Sequence, residues 1–121
     1  MEETFFANVR ETGQTVIIDM SGDLSKSAHE PLLGLFNWET KKEDTCCIIL
    51  NFSQVNYINS LGIALLIRLT RKTERAGYQT FAYGISPHYH KLFLMVGLAE
   101  HMMIYPDEYS IMQRIETLNS L

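Results

Sequence analysis

Apolar and polar positions fall in blocks along this chain, and the spacing within the blocks switches between a period of two and one near 3.6. Phe5 to Arg10 has the look of a short strand, Glu11-Thr12-Gly13-Gln14 of a turn and Thr15 to Met20 of a β-branched strand, which predicts an N-terminal antiparallel hairpin. Ser21-Gly22-Asp23-Leu24-Ser25 then breaks the second strand, and Ser25 or Ser27 caps a helix running to about Trp38 or Glu39 with Leu32, Leu35 and Phe36 as its apolar stripe. After a charged connection from Lys41 to Thr45, Cys46 to Phe52 is a continuous apolar run of the kind buried on both faces of a sheet. A polar loop leads to a helix from Ser60 to about Ala76, ended by Gly77. Tyr78 to Tyr83 is a further strand, Ser86-Pro87 opens a helix ending near Gly97, Met102 to Tyr105 is a short strand, and Asp107 or a neighbour opens a last helix through about Leu118. The order ββαβαβαβα predicts one α/β domain over residues 1–121, with a mixed, mostly parallel sheet, an N-terminal β-hairpin and about four flanking helices.

The stretch IILNFSQVNYINSLGIA, residues 48 to 64, carries the most specific chemistry. It places the hydroxyl of Ser60 at the positive end of a helix, where a phosphate is stabilised whether added covalently or bound. The plain alternative is that Ser60 only caps the helix. Along that helix Gly62, Ile63, Leu66, Ile67, Leu69, Thr70 and Thr73 share the face expected against the sheet, while Arg68, Arg71, Lys72 and Arg75 recur on the other. Leu61, Ala64 and Leu65 share the Arg68 side. They predict an exposed apolar patch beside Ser60, unless a loop or the N-terminal hairpin covers it. A phosphate on Ser60 would set about two negative charges next to that patch and disfavour a partner there, while the helix end stabilises the added charge.

Composition narrows the function classes. A 46% hydrophobic content spread along the chain fits a folded domain, and a net charge of −4 gives no footprint for nucleic acid. Apolar runs fall far short of the roughly 20 residues that cross a bilayer, and the start MEETFFANVRET lacks a secretory pattern, so direct membrane insertion is not expected and a cytoplasmic location is. The two cysteines are adjacent, Cys46-Cys47, and in a strand their side chains would point to opposite faces, which leaves no disulfide framework. His29, His88, His90 and His101 are scattered and predict no metal site. No phosphate-binding GxxxxGK[ST] loop and no convergent acid, base and nucleophile set is present, so the chain is expected to be neither an enzyme nor dependent on a cofactor. Tyr89, Leu92, Phe93 and Val96 have core spacing; Leu94 and Met95 extend an exposed apolar surface.

The segment ILNFSQVNYINSLGIALL resembles the motif of STAS domains of the anti-sigma factor antagonist type, apolar-Asp-apolar-Ser-x-Val-x-aromatic-apolar-Asp-Ser-Ser-Gly. Ser53, Val55, Tyr57, Ile58 and Gly62 match, and Ser60 takes the phosphoacceptor position. SGDLS at residues 21 to 25 and GLAEHMMIY at 97 to 105 are similar to two further family segments. Asn59 stands in place of aspartate, Leu61 in place of a second serine and Asn51 in place of another aspartate. The resemblance implies a phosphosite loop of Ser53, Asn59, Leu61 and Gly62, and a partner surface of Asp23, Ser25, Leu61, Ala64, Leu65 and Arg68. It also implies partner switching: the unphosphorylated chain binds an anti-sigma factor that is a serine kinase of the histidine-kinase-like ATPase fold, phosphorylation at Ser60 releases it, and a metal-dependent serine phosphatase restores binding. The alternative within the family is a non-switching subunit of a signalling assembly or lipid-transport complex.

Overall fold

The structure of the chain, a computed structural model, describes residues 4–120; the outermost residues of the expected 1–121 domain lie outside that range. Strand β1, Phe5–Thr12, pairs antiparallel with β2, Thr15–Leu24, through a turn in which Gly13 takes φ 58°, a conformation glycine enters without steric cost. The parallel strands β3, Cys47–Ile58, β4, Gln79–Tyr83, and β5, Met103–Ile104, complete a five-stranded sheet ordered β1-β2-β3-β4-β5. Four helices flank it: α1, His29–Leu35, α2, Ser60–Ala76, α3, Pro87–Met95, and α4, Glu108–Asn119. The expected mixed sheet, hairpin and four helices are all present.

Alternation along the central strands explains why they are apolar on both sides. Val16, Ile18, Met20, Ile48, Leu50 and Phe52 pack in one core with Leu32 of α1, Leu66 and Leu69 of α2 and Phe93 of α3. Ile17, Cys47, Ile49 and Phe81 point the other way, onto Ile111 and Ile115 of α4. Further along this second face the sheet turns polar. Arg10 donates to Asp19 at 2.5 and 2.8 Å and to Glu108 at 2.8 Å, Tyr83 donates to Glu108 at 2.9 Å, and Asn51 donates to Asp19 at 2.7 Å. These bonds tie α4 across β1, β2, β3 and β4. Hydrogen bonding to Arg10 holds the carboxyls of Asp19 and Glu108 below the usual range, and burial followed by the Glu108 hydrogen bond pushes the Tyr83 phenol up to about 12.

Several expected boundaries move. Residues 21–24 do not break β2; they continue it, because two register shifts against β3, between Asp19 and Ser21 and between Gly22 and Asp23, absorb Gly22 at φ 93°. A Cβ at Gly22 would lie 2.1 Å from the carbonyl oxygen of Thr4. Residues 53–58 are likewise strand and not loop. The first helix begins as a 3₁₀ turn, Lys26–Ala28, with no side-chain cap from Ser25, and it stops at Leu35, short of the expected Trp38. Trp38 turns back instead and donates its indole N–H to the carbonyl of Leu32 at 2.9 Å, occupying an acceptor left free at the helix end. The cysteine side chains do not diverge, since Cys46 precedes the strand and their Sγ atoms lie 2.8 Å apart; burial pushes the Cys47 thiol up to about 12. Val96 is 43% exposed, outside the core expected for it, because α3 has already ended at Met95.

Candidate functional site

The junction between β3 and α2 is built around one carbonyl. Leu24, the last residue of β2, accepts the backbone N–H of Asn59 at 3.1 Å, and a Cβ placed on Gly62 would lie only 2.0 Å from the same oxygen. Glycine at 62 is therefore what lets the first turn of α2 press against the end of β2. Tyr89 of α3 fixes the other side, its hydroxyl accepting the N–H of Ile58 at 3.0 Å. Strand end and helix start are held from two neighbouring elements.

Asn59, not Ser60, caps α2. Its φ of −99° and ψ of −176° are extended, its side-chain oxygen accepts the N–H of Gly62 at 3.0 Å, and its carbonyl accepts that of Ile63 at 2.9 Å. Ser60 becomes the first helical residue and is exposed. Capping thus does not account for the serine. Among the described residues no hydrogen bond engages the Ser60 hydroxyl or the N–H groups of Ser60 and Leu61, the outermost donors of the helix. A phosphate ester at this hydroxyl would sit in the positive field of a 17-residue helix without displacing any cap.

A groove of about 480 Å³ lies next to it, between the 3₁₀ turn with α1 on one side and α2 on the other. Its lining includes Ser25, Lys26, His29, Leu61, Ala64, Leu65 and Arg68. Leu61 is 54% exposed, and Ala64 and Arg68 are exposed, as expected. Leu65 is not: it is 4% exposed, because it joins Ala28 and Leu32 in the main core and forms the floor. Ser25 is also buried, at 1%, with its hydroxyl 3.3 Å from that of Ser27. Asp23 is half-buried in β2 opposite Tyr57, its N–H donating to the carbonyl of Thr4. Lys72, expected on the solvent stripe, folds back to pair with Glu39.

Ser53 is not brought to this groove. It lies on β3, donates N–H and O–H to Asn51 at 2.9 and 2.6 Å, and lines a separate crevice of about 250 Å³ with Gly84, Ser86 and Tyr89. Sequence reasoning missed Leu24, which acts through its backbone, and Tyr89, whose spacing matched a core residue. It also missed His29 and Lys26, which share the groove; His29 Nε2 lies 3.4 Å from a guanidinium nitrogen of Arg68. No group of three or more metal-ligating side chains is present among the described residues, and no helix there is long and apolar enough to cross a membrane.

The STAS domain model matches residues 6–111. An anti-sigma F factor antagonist of Lysinibacillus sphaericus is 27% identical over 100 residues, covering 83% of this chain and 86% of the relative. The Bacillus cell fate determinant SpoIIAA in its phosphorylated form superposes with a TM-score of 0.69 at 25% identity, covering 91% of this chain and 99% of that one. A sulfate transporter family protein from Wolinella succinogenes superposes at 0.76 with 16% identity, covering 89% of each chain, which shows the shared fold. With the family pattern matched over most of its length and the fold reproduced, this chain belongs to the STAS domain family.

Proposed function

We propose that this protein is an anti-sigma factor antagonist that works by partner switching in the cytoplasm. In its unphosphorylated form the face formed by Leu61, Ala64 and Arg68, together with Asp23 of β2, binds an anti-sigma factor that is also a serine kinase of the histidine-kinase-like ATPase fold. The oxygen of Ser60 then attacks the γ-phosphorus of the ATP held by that kinase; the bond to the β-phosphate oxygen breaks, ADP leaves, and the serine proton passes to a base of the kinase. The phosphoserine carries about −1.5 to −2 charge onto the rim of an apolar surface and releases the partner. A metal-dependent serine phosphatase restores the hydroxyl by delivering water to the phosphorus.

The observation that carries this reading is the division of roles at the helix start. Asn59 does the capping, which leaves Ser60 exposed and unengaged among the described residues. The similarity to an anti-sigma F factor antagonist supports the partner class, and the neutral Asn59 places no carboxylate beside the incoming phosphoryl group.

The test combines the purified chain with a co-encoded anti-sigma kinase and ATP, followed by phosphopeptide mass spectrometry. Phosphate is expected on Ser60, Ser60→Asp is expected to weaken the complex, and Ser60→Ala is expected to bind without being modified. Phosphate at another residue, or equal binding by Ser60→Asp and the parent chain, would overturn the switch and leave a non-switching subunit.

A further inference from the structure

We infer that the groove beside Ser60 seats an acidic segment of the partner that carries an apolar anchor residue. The inference rests on the reading that this face docks the anti-sigma partner, and it adds the chemistry by which the partner is chosen. The floor is apolar, with Leu65 buried beneath it and Leu61 left 54% exposed on a chain that buries its other leucines of this helix. An apolar side chain entering here removes the exposed surface of Leu61 and Ala64 from water.

The rim has one predominant sign. Lys26 and Arg68 are its cations, His29 lies between them, and Glu30 is its one carboxylate, with a side chain 94% exposed and 3.7 Å from His29. Down the same side of α2 Arg71 and Arg75 continue the line at intervals of three and four residues, both exposed and neither in a salt bridge among the described residues. Arg68 forms no salt bridge there either, although it helps to hold the Glu39 carboxyl below its usual range, after the hydrogen bond and charge of Lys72. This helix carries four cations and one carboxylate, whereas the whole chain is −4. A local positive rail attracts acidic segments, whereas in a two-fold pair of this chain the same rail would face its own copy and be repelled, which favours a different protein over a symmetric second copy.

The same geometry names what phosphorylation opposes. The rail begins at Arg68, about 12 Å along the helix axis from Ser60, so a phosphoserine stands beside the apolar anchor site at Leu61 and opposes its burial more directly than it opposes the acidic flank.

The probe is a fluorescein-labelled amphipathic helical peptide with leucines on one face and glutamates on its flanks, added to the full chain labelled with nitrogen-15. Expected results are shifted resonances at His29, Leu61, Ala64 and Arg68, and an affinity that falls about tenfold in the double variant Arg68→Glu with Arg71→Glu, and again on raising salt. Leu61→Gln tests the anchor independently; these positions are exposed, and thermal melts check that each variant folds. Equal binding of a peptide with lysine in place of glutamate overturns the proposal, as do shifts centred on Leu94, Met95 and Val96. Shifts at the groove on adding unlabelled chain alone would instead assign it to self-association, and equally tight binding of decanoate would assign it to a small amphipathic acid. The two readings separate with the anti-sigma kinase: if Arg68→Glu with Arg71→Glu leaves that complex intact while Ser60→Asp breaks it, the groove fails and the switch stands. Peptide capture without any phosphate on Ser60 gives the reverse.

Discussion

Replacing glycine by alanine is expected to have opposite effects at two places in this chain. At Gly62 a Cβ would lie 2.0 Å from the carbonyl oxygen of Leu24, 2.7 Å from its carbon and 3.1 Å from Cγ2 of Ile58. The first two are backbone atoms at the end of a paired strand, so α2 has to move by about 1 Å or more to restore ordinary contact. Such overpacking costs about 1–3 kcal/mol. The shift also pulls Asn59 away from Leu24, removing a 3.1 Å hydrogen bond worth about 1 kcal/mol. Alanine's smaller unfolded-state entropy returns about 0.4–1 kcal/mol, leaving a net loss of about 1–3.5 kcal/mol. At Gly34 in α1 nothing lies within 4 Å of the added methyl, so the entropy gain stands alone and Gly34→Ala stabilises by about 0.4–1 kcal/mol. Urea unfolding followed by far-ultraviolet circular dichroism and by the fluorescence of the single tryptophan, Trp38, measures both. With a slope of about 2 kcal/mol per molar urea, the two midpoints should separate by about 0.7–2.3 M. Shifts of the same sign, or a Gly62→Ala protein within about 0.5 kcal/mol of the parent, would refute the close-approach argument.

Two further outcomes follow from residues already placed. Asn59→Ala should lose about 1 kcal/mol of stability by removing the cap of α2, whereas Asn59→Asp keeps the acceptor and gains about 0.3–1 kcal/mol at neutral pH from its charge at the helix start. A capping aspartate has a depressed folded-state pKa, so that gain is present above about pH 4 and lost as pH falls through the folded value; equal melting of the two variants at neutral pH would contradict it. Arg10 holds Asp19 and Glu108 below the usual carboxylate range, so its contribution is full above their unfolded pKa values near about 4 and disappears as pH falls through the lower folded ones. The stability gap between the parent and Arg10→Met, measured by urea midpoints, should therefore narrow steadily on acidification, and a gap independent of pH would show that Arg10 acts by packing alone.

Periodicity made the architecture legible where a helix carries its own start or stop in the sequence: Gly77 takes the left-handed cap at φ 100°, Ser86 with Pro87 opens α3, and Asp107 caps α4. It failed where backbone geometry overrides composition. Polar residues from Ser53 to Tyr57 resemble a loop, yet β2 runs on beside them with bulges and supplies their strand partners. The site was half legible for the same reason. Ser60 and Leu61 were placed correctly by helical spacing, but the spacing that groups Leu65 with them cannot show that α1 lies across it. The role of the Leu24 carbonyl has no side-chain signal at all, since any residue offers that oxygen.

The separation of cap from hydroxyl at residues 59 and 60 has a consequence for how such a domain can change over time. Because the side chain that caps the helix is that of Asn59, the side chain at position 60 is under no obligation to the fold. A lineage can lose the serine, or replace it with a permanent charge, at little cost to the folded domain. On the proposed function, one codon would then separate a reversible regulator from a fixed adaptor, with the exposed face of Leu61, Ala64 and Arg68 left unchanged.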